Sequence, residues 1–167
     1  KEIIFTSGAT ESIFSTFFGL AKRNSFSGHI VTSNVEHSAT YGAIKLIESL
    51  GVQSTFLEAN SFGQVSAGQV ANAIRPDTFC VSLIHGNNEI GSINPILEIS
   101  NACRERNVFF HVDAAQTLGK IPMDVRELRA DLISFSAHKL HGPKGVGALF
   151  MRAGPPRLRL DPLFGGT

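Results

Sequence analysis

Several features that mark other classes of protein are missing from this sequence. No apolar run reaches the roughly 18 residues that a membrane-spanning helix needs. A net charge of +1 provides no basic surface for nucleic acid or for an anionic membrane. The two cysteines, Cys80 and Cys103, are too few for a disulfide framework, and both are expected to be buried as small apolar side chains. The composition predicts one soluble domain in the reducing cytoplasm, without a membrane or nucleic-acid partner.

The patterns of nucleotide-binding loops are missing as well. Neither G-x-x-x-x-G-K-[ST] nor G-x-G-x-x-G occurs, and Gly142-Pro143-Lys144-Gly145 is too short for the first of them. The sequence therefore does not predict a nucleotide hydrolase. We interpret Lys144 as a loop residue rather than as a second catalytic lysine.

Short apolar runs alternate with helix-length segments along the chain. Repeated strand–helix–strand units predict a mostly parallel sheet with helices on both faces, a three-layer α/β sandwich. Only a loop separates the last two runs, so the last strand is expected to pair antiparallel. The predicted strands are Ile3–Phe5, His29–Ser33, Val52–Leu57, Thr78–Ile84, Val108–Asp113, Leu132–Ser136 and Val146–Met151, and the predicted helices are Glu11–Lys22, Ser38–Leu50, Ala67–Ile74 and Ile96–Arg106.

The two ends of the chain indicate a piece of a longer protein. Lys1–Phe5 already reads as a strand, and Phe164–Thr167 reads as a loop. We predict one large domain over residues 1–154, incomplete at its N-terminus. An exit segment over residues 155–167 is predicted to follow, because Pro155-Pro156 is typical of a boundary.

Polar residues follow the ends of five predicted strands. The carboxyl ends of parallel strands lie at one edge of a sheet, where open α/β proteins bind ligands. We therefore predict the binding site at that edge. The residues concerned are Ser7-Gly8-Ala9-Thr10, Glu36-His37, His85-Gly86-Asn87-Asn88-Glu89, Asp113 with Gln116, and Ser136-Ala137-His138-Lys139.

The segment Ser7-Gly8-Ala9-Thr10 lies where the first strand turns into a helix, which is expected to begin near Thr10 or Glu11. Free N–H groups at a helix start attract phosphate, and the Thr10 hydroxyl adds another donor. The alternative is that Thr10 is an N-cap residue, which is compatible with phosphate binding.

Lys139 follows a strand-like run and is flanked by small polar residues and a histidine. A lysine at the mouth of a sheet is partly desolvated, which lowers its pKa and frees the amine to attack a carbonyl. We interpret Lys139 as a Schiff-base lysine. The alternative is a solvated lysine in a loop.

Asp113 and His37 have side chains suited to an aromatic cofactor. A carboxylate at the end of a buried strand needs a partner, and a protonated pyridine nitrogen is one that turns the ring into an electron sink. The alternative for Asp113 is a cap on the turn at Ala114-Ala115. His37 has a flat ring for stacking and a pKa suited to proton transfer; its alternative is a histidine hydrogen-bonded within a loop.

Together these motifs resemble the cysteine desulfurases, pyridoxal 5'-phosphate (PLP) enzymes of fold type I in the class V aminotransferase group. The resemblance runs essentially from end to end. It implies the large domain of a PLP-dependent transferase, with a mostly parallel seven-stranded sheet and one antiparallel strand. The stretch Asn87–Gly91 resembles the corresponding segment of those cysteine desulfurases that supply sulfur for iron–sulfur clusters and thiolated tRNA. The motifs are Ser7–Ser12, Glu36-His37, His85–Gly91, His111–Gln116 and Ser134–Lys139.

The resemblance also implies roles for individual residues. Lys139 and His37 are the catalytic residues: Lys139 holds the cofactor covalently and removes the Cα proton, and His37 stacks on the ring and assists proton transfer. Asp113 faces the pyridine nitrogen, Gln116 the phenolic oxygen, and Asn88 lies beside the cofactor near the substrate carboxylate. The phosphate is held by Ala9, Thr10, Ser136 and His138.

The implied reaction converts L-cysteine to L-alanine and leaves a persulfide on the enzyme, a homodimer that passes sulfur to an acceptor or scaffold protein. In the family, the sulfur-accepting cysteine and the arginine that binds the substrate carboxylate come later than Thr167, and neither Cys80 nor Cys103 matches the cysteine motif. We therefore expect negligible turnover from this chain alone.

Three alternatives remain open from the sequence. The first is another class V enzyme, such as an aminotransferase or a selenocysteine lyase, and the second is a truncated chain without catalysis. The third is a metal site built from His138, His141, His85, His111 and Asp113. We expect no metal, since such pairs as His111 and Asp113 occur often by chance.

Overall fold

The computed structural model describes residues 2–155 and 157–165, and within these ranges every predicted strand and helix is present. Two further helices of four residues each, Val125–Leu128 and Ala137–Leu140, were not predicted because four residues are too few to show a helical period. The strands are β1 (Ile3–Thr6), β2 (His29–Ser33), β3 (Gln53–Leu57), β4 (Thr78–Ile84), β5 (Phe109–Asp113), β6 (Leu132–Ser136) and β7 (Gly147–Met151). The helices are α1 (Ala9–Arg23), α2 (Ser38–Ser49), α3 (Ala67–Ala73), α4 (Ile96–Glu105), α5 (Val125–Leu128) and the 3₁₀ helix Ala137–Leu140.

The seven strands form one sheet in the order β1-β7-β6-β5-β4-β2-β3. Strands β2 to β6 pair in parallel wherever they are neighbours, whereas β7 is antiparallel to both β1 and β6. The antiparallel prediction for the last strand is thus confirmed. Because β7 is reversed, β1 and β6 point the same way, and the loops that follow them lie at the same edge of the sheet.

Helices cover both faces of the sheet, which confirms the three-layer sandwich. Strand neighbours alternate between the faces, so Ile30 packs with helices α1 and α2 while Val31 packs with α3 and α4. Phe17 and Ile99, both fully buried, fill the two layers from α1 and α4. Because both sides of the sheet are covered, its central strands carry buried residues on both faces, most of them apolar.

The two cysteines are free and buried, as predicted, and lie in different layers: Cys80 packs with α1 and α2, and Cys103 packs on the opposite face. Within the described ranges, the helices are all too short or too polar to cross a bilayer.

Residues after β7 pack back onto α1. Leu158 is buried with the α1 side chains, and the Asp161 N–H donates to the Gly19 carbonyl at 3.4 Å. A Cβ on Gly19 would lie 2.7 Å from the Asp161 carbonyl oxygen, so only glycine allows this approach. The boundary at 154/155 stays a prediction, and Pro156, Gly166 and Thr167, which belong to the predicted exit segment, lie outside the described residues.

Candidate active site

A cavity of about 360 Å³ opens at the carboxyl ends of β1, β5 and β6. Eight of the nine residues predicted for the site line it, and Asn88 does not. Lys139 and Asp113 are therefore brought together, although 26 positions separate them in the sequence. The predicted residues in the cavity are Ala9, Thr10, His37, Asp113, Gln116, Ser136, His138 and Lys139.

The start of α1 forms one wall of the cavity. The helix begins at Ala9 with Gly8 as its N-cap, so Thr10 is not the cap residue, and the helix starts one or two residues before the predicted Thr10 or Glu11. Ser7 donates from its N–H and hydroxyl to Glu11 Oε2 (2.7 and 2.6 Å), and these bonds lower the pKa of Glu11, the hydroxyl first. The first N–H groups of a helix have no intrahelical acceptor, so this wall presents donors to an anion.

Gly147 allows this wall to form. A Cβ on Gly147 would lie 2.5 Å from the Gly8 Cα and 2.7 Å from the Phe135 carbonyl oxygen. Since real Cβ atoms do not approach backbone so closely, any larger residue would push the Gly8 turn away from β7. The close packing of β1 and β7 thus depends on a glycine whose importance the sequence alone did not reveal.

Lys139 lies on the 3₁₀ helix that directly follows β6. The Ala137 N–H donates to the Val146 carbonyl (3.0 Å), and the Gly142 N–H donates to the Ala137 carbonyl (2.9 Å). This short turn, fixed at both ends, positions the partly buried Lys139 at the cavity. Next to it, the Ser136 hydroxyl and His138 Nδ1 are hydrogen-bonded at 2.9 Å, so two polar side chains already form a pair beside the start of α1.

Asp113 is 3% exposed at the end of β5, and its Oδ1 accepts the Ala115 N–H at 3.0 Å. This contact is the turn cap that was the alternative interpretation, and it leaves most of the carboxylate's hydrogen-bonding capacity unused. Burial raises the pKa of Asp113, while the Ala115 N–H and the nearby His37 lower it. A buried carboxyl group without an ion-pair partner among the described residues fits a ligand that brings a positive N–H.

His37 is the N-cap of α2, and its Nδ1 accepts the Ala39 N–H at 3.1 Å. Since a backbone N–H can only donate, the proton of the neutral ring is on Nε2. The loop hydrogen bond that was the alternative interpretation is therefore present, and it fixes the orientation of a ring that lines the cavity.

Gln116 connects the main cavity to a second one of about 310 Å³, whose wall contains Asn88 and Lys120. The neighbouring Asn87 is used by the fold: its amide donates to the Val35 carbonyl (2.8 Å), and its oxygen accepts the Glu89 N–H (2.8 Å). Asn88 thus lies beside the predicted site, not within it.

The sequence-based interpretation gave no functional role to two charged residues, Lys144 and Glu36, although Glu36 was among the polar residues at the predicted edge. Lys144, interpreted as loop structure, lines the main cavity together with Gly145, whose φ of +81° favours glycine. Glu36 is 8% exposed, and its Oε1 accepts the Ser33 hydroxyl and the Ile84 N–H (3.1 Å). Burial raises the pKa of Glu36 to about 8. Nothing in the sequence marks Glu36 as buried. The short sequence distance between Lys144 and Lys139, in contrast, could have indicated that Lys144 lies near the site.

The described part of the chain brings no three potential metal ligands together. His111, one of the candidates, lies between the Ser82 and Ser134 hydroxyls, each 2.8 Å from a ring nitrogen. Complete burial lowers the pKa of His111 to about 3, so the ring is neutral.

The comparisons with known proteins agree with this geometry. The family model described as aminotransferase class-V matches residues 1–167. Cysteine desulfurase IscS of Vibrio campbellii is 49% identical over 162 residues, which are 96% of this chain and 40% of that protein. The mitochondrial cysteine desulfurase of Eremothecium gossypii is 48% identical over 167 residues, which are 99% of this chain and 34% of that protein.

Among solved structures, "SspA in complex with cysteine" superposes with a TM-score of 0.93 at 42% identity, covering 99% of this chain and 48% of the other. The chain thus spans less than half the length of each of these relatives. Enzymes of this kind depend on PLP, and the buried Asp113, the donor-rich start of α1 and Lys139 in one cavity fit that cofactor. From its sequence and its fold, the chain belongs to the class V aminotransferase family.

Proposed function

We propose that the protein containing this chain is a PLP-dependent cysteine desulfurase, and that residues 1–154 are most of its cofactor-binding large domain. The reaction is the conversion of L-cysteine to L-alanine with transfer of sulfur to an enzyme thiol. The observation that carries the proposal is that an amine, a buried carboxyl group and a helix start meet in one cavity of suitable size. The cysteine complex is a property of the SspA relative, and it supports L-cysteine as the substrate here.

Each wall of the cavity has a distinct task. When bound, the cofactor supplies an electron sink for the charge left at the substrate Cα. The start of α1, with Thr10, Ser136 and His138, binds the phosphate. Asp113 accepts the pyridine N–H, and its burial makes this pairing strong. Lys139 provides the amine for covalent attachment and then the base for the Cα proton, with His37 as the second proton-transfer group.

Cys80 and Cys103 are unsuited to receive the sulfur. Burial raises the pKa of Cys80 well above its ordinary value and that of Cys103 to about 12, so both stay protonated at neutral pH. Thiolates, not thiols, are the nucleophiles in sulfur transfer. We infer that another cysteine receives the sulfur and that this chain alone shows negligible turnover.

The partners and compartment belong to the same proposal. We expect a homodimer, a protein sulfur acceptor, and use of the sulfur for iron–sulfur clusters or tRNA thiolation. The net charge of +1 supports the absence of nucleic-acid and membrane partners. Two free, buried thiols are suited to a reducing compartment, and the named relatives include a bacterial and a mitochondrial protein.

The first test is spectroscopic. PLP is added to the chain, and the visible absorbance band of bound cofactor is recorded for the unmodified chain, for Lys139→Ala, and for Lys45→Ala as a control on the exposed side of α2. We expect the band in the unmodified chain and in Lys45→Ala, and its loss in Lys139→Ala. An equal band without Lys139 would contradict the proposal.

The second test identifies the reaction. The gene product that contains this chain is incubated with L-cysteine under reducing conditions, and alanine and sulfide are measured. Formation of both in equal amounts is expected. Amino-group transfer to a keto acid without sulfide, or activity on selenocysteine alone, would assign the protein to another class V activity.

A further inference from the structure

Lys120, which lies in the wall of the second cavity, makes a hydrogen bond that bears on the main one. Its Nζ donates to Gln116 Oε1 at 3.1 Å, and Gln116 lines both cavities. The described ion pairs place no carboxylate on Lys120, so this amide oxygen is the partner that the structure provides for its charge.

An ammonium group has donors only, whereas a glutamine amide has an acceptor at one end and donors at the other. Lys120 can therefore bind only the oxygen end of Gln116. If the amide were rotated by half a turn, its NH₂ group would face the ammonium, donor against donor. This orientation leaves the Nε2 hydrogens without a partner among the described hydrogen bonds, on a residue that lines the main cavity, where an anionic oxygen needs a donor.

The turn that carries both residues is held in place from several sides. The Thr117 hydroxyl and His85 Nδ1 are hydrogen-bonded at 3.0 Å, and the Lys120 N–H donates to the Thr117 carbonyl at 3.0 Å. Gly119 has a φ of +74°, and a Cβ there would lie 2.7 Å from Leu140 Cδ2, next to Lys139. The backbone positions from which Lys120 and Gln116 extend are thus set by the fold.

The geometry points to Lys120 as a positioning residue that fixes the Gln116 amide with its donor end toward the phenolic oxygen of the cofactor. This inference rests on the proposed function, since it takes Gln116 to face that oxygen. Lys120 itself touches neither substrate nor cofactor in this arrangement. It acts by selecting one of two amide orientations, which favours the ionised form of the oxygen.

The experiment measures PLP affinity and the pH midpoint of the visible band in the unmodified chain and in Lys120→Met, Lys120→Arg and Gln116→Ala. The other titratable groups of the cavity, His37, Asp113, His138, Lys139 and Lys144, are the same in all of them. For Lys120→Met we expect about a fivefold weaker affinity and a higher pH midpoint, as for the loss of one hydrogen bond. Lys120→Arg keeps a donor and should stay within about twofold of the unmodified chain.

Two comparisons separate this role from a merely structural one. In a Gln116→Ala background, Lys120→Met should have no further effect, because its action passes through the amide. With 3-deoxypyridoxal 5'-phosphate, which lacks the phenolic oxygen, Lys120→Met should bind as well as the unmodified chain.

Any of three results would overturn the inference. Lys120→Met could weaken PLP binding as much in the Gln116→Ala background as in the unmodified chain, or weaken binding of the deoxy analogue as much as that of PLP. It could also leave both the PLP affinity and the pH midpoint unchanged. Failure of the proposed function looks different, since the unmodified chain would then show no Lys139-dependent band at all. Circular dichroism of each variant confirms that the fold is retained, and Lys45→Met serves as the control for removing one surface charge.

Discussion

Two buried aspartates lie at opposite ends of the sheet and differ in what surrounds them. Asp131, 4% exposed, precedes β6; its Oδ1 accepts from Arg152 Nε (2.9 Å) and Nη2 (2.6 Å), and its Oδ2 accepts the Phe110 N–H (2.9 Å). Asp113, 3% exposed, ends β5 and accepts one N–H among the described residues. The protein itself neutralises the charge of Asp131 at the amino end of the sheet, whereas Asp113 at the carboxyl end has no ion pair among the described residues.

We propose that this difference separates polar residues that stabilise the fold from those that bind a ligand. Burying a charge is costly, and a fold accepts that cost when it supplies the partner itself or when a ligand supplies it. His111 is like Asp131, because the protein supplies its partners, two serine hydroxyls. Glu36 is like Asp113, because its buried Oε2 has no hydrogen-bond partner among the described residues. Substitutions at these four positions test whether the distinction holds.

The largest effect on stability is expected for Asp131→Ala. It leaves the Arg152 guanidinium, whose side chain is 19% exposed, without its partner, and breaking a buried pair costs about 3–5 kcal/mol. Urea unfolding followed by circular dichroism measures the loss. Asp77→Ala, which breaks the exposed pair with Arg75, is the matched control and should cost much less. Similar losses in both variants would contradict the comparison.

His111→Leu is expected to lower the free energy of unfolding by about 2–3 kcal/mol, because the Ser82 and Ser134 hydroxyls lose their buried partner. Adding Ser82→Ala and Ser134→Ala should recover most of the loss, since no orphaned group remains. No recovery in the triple variant would mean that packing, and not hydrogen bonding, makes His111 necessary.

Glu36→Gln is expected to change how stability depends on pH. The pKa of this carboxyl group is raised by burial to about 8, above its ordinary value of 4.5. Its contribution is therefore fully present below pH 4.5 and is lost as the pH rises toward 8. Between pH 6.5 and 8 the buried histidines still take up some protons on unfolding in both proteins, so the two are compared at each pH, and the unmodified chain should lose about 2 kcal/mol relative to Glu36→Gln. A difference in stability between the two proteins that stays constant from pH 6.5 to 8 would contradict the assignment.

The smallest effect on stability is expected for Asp113→Asn. The amide oxygen can still accept the Ala115 N–H, and an unpaired acid is removed, so the free energy of unfolding should change by less than about 1 kcal/mol. Cofactor binding should be lost at the same time, as seen from the visible band. A loss of stability as large as that of Asp131→Ala would show that Asp113 is a structural residue.

The order of the strands and helices could be predicted because the apolar runs in this chain are clearly separated by turn residues. The strands at His29–Ser33, Thr78–Ile84 and Leu132–Ser136 were predicted to the residue, since they are largely buried on both faces and bounded by polar or small residues. The start of α1 was misplaced because Gly8, not Thr10, is the N-cap, and a small-residue turn gives no clear signal for either.

The site was predictable as far as parallel topology places strand ends at one edge. That argument located Lys139, Asp113 and the start of α1, but it does not reveal which way a side chain points. Asn88 follows a strand end as the others do, yet its loop directs it to the adjoining cavity. Glu36 precedes a predicted site residue, and only packing reveals that its carboxyl group is buried.

The reversed β7 has a consequence for how the protein is made. Cavity-lining residues extend from Ser7 to Gly145, and the Gly8 turn rests on Gly147. A ribosome therefore releases the start of α1, which we propose binds the phosphate, early, while the nascent chain still lacks the lysine and the strand against which that turn packs. Loading of the vitamin-derived ring must wait until translation has passed β7.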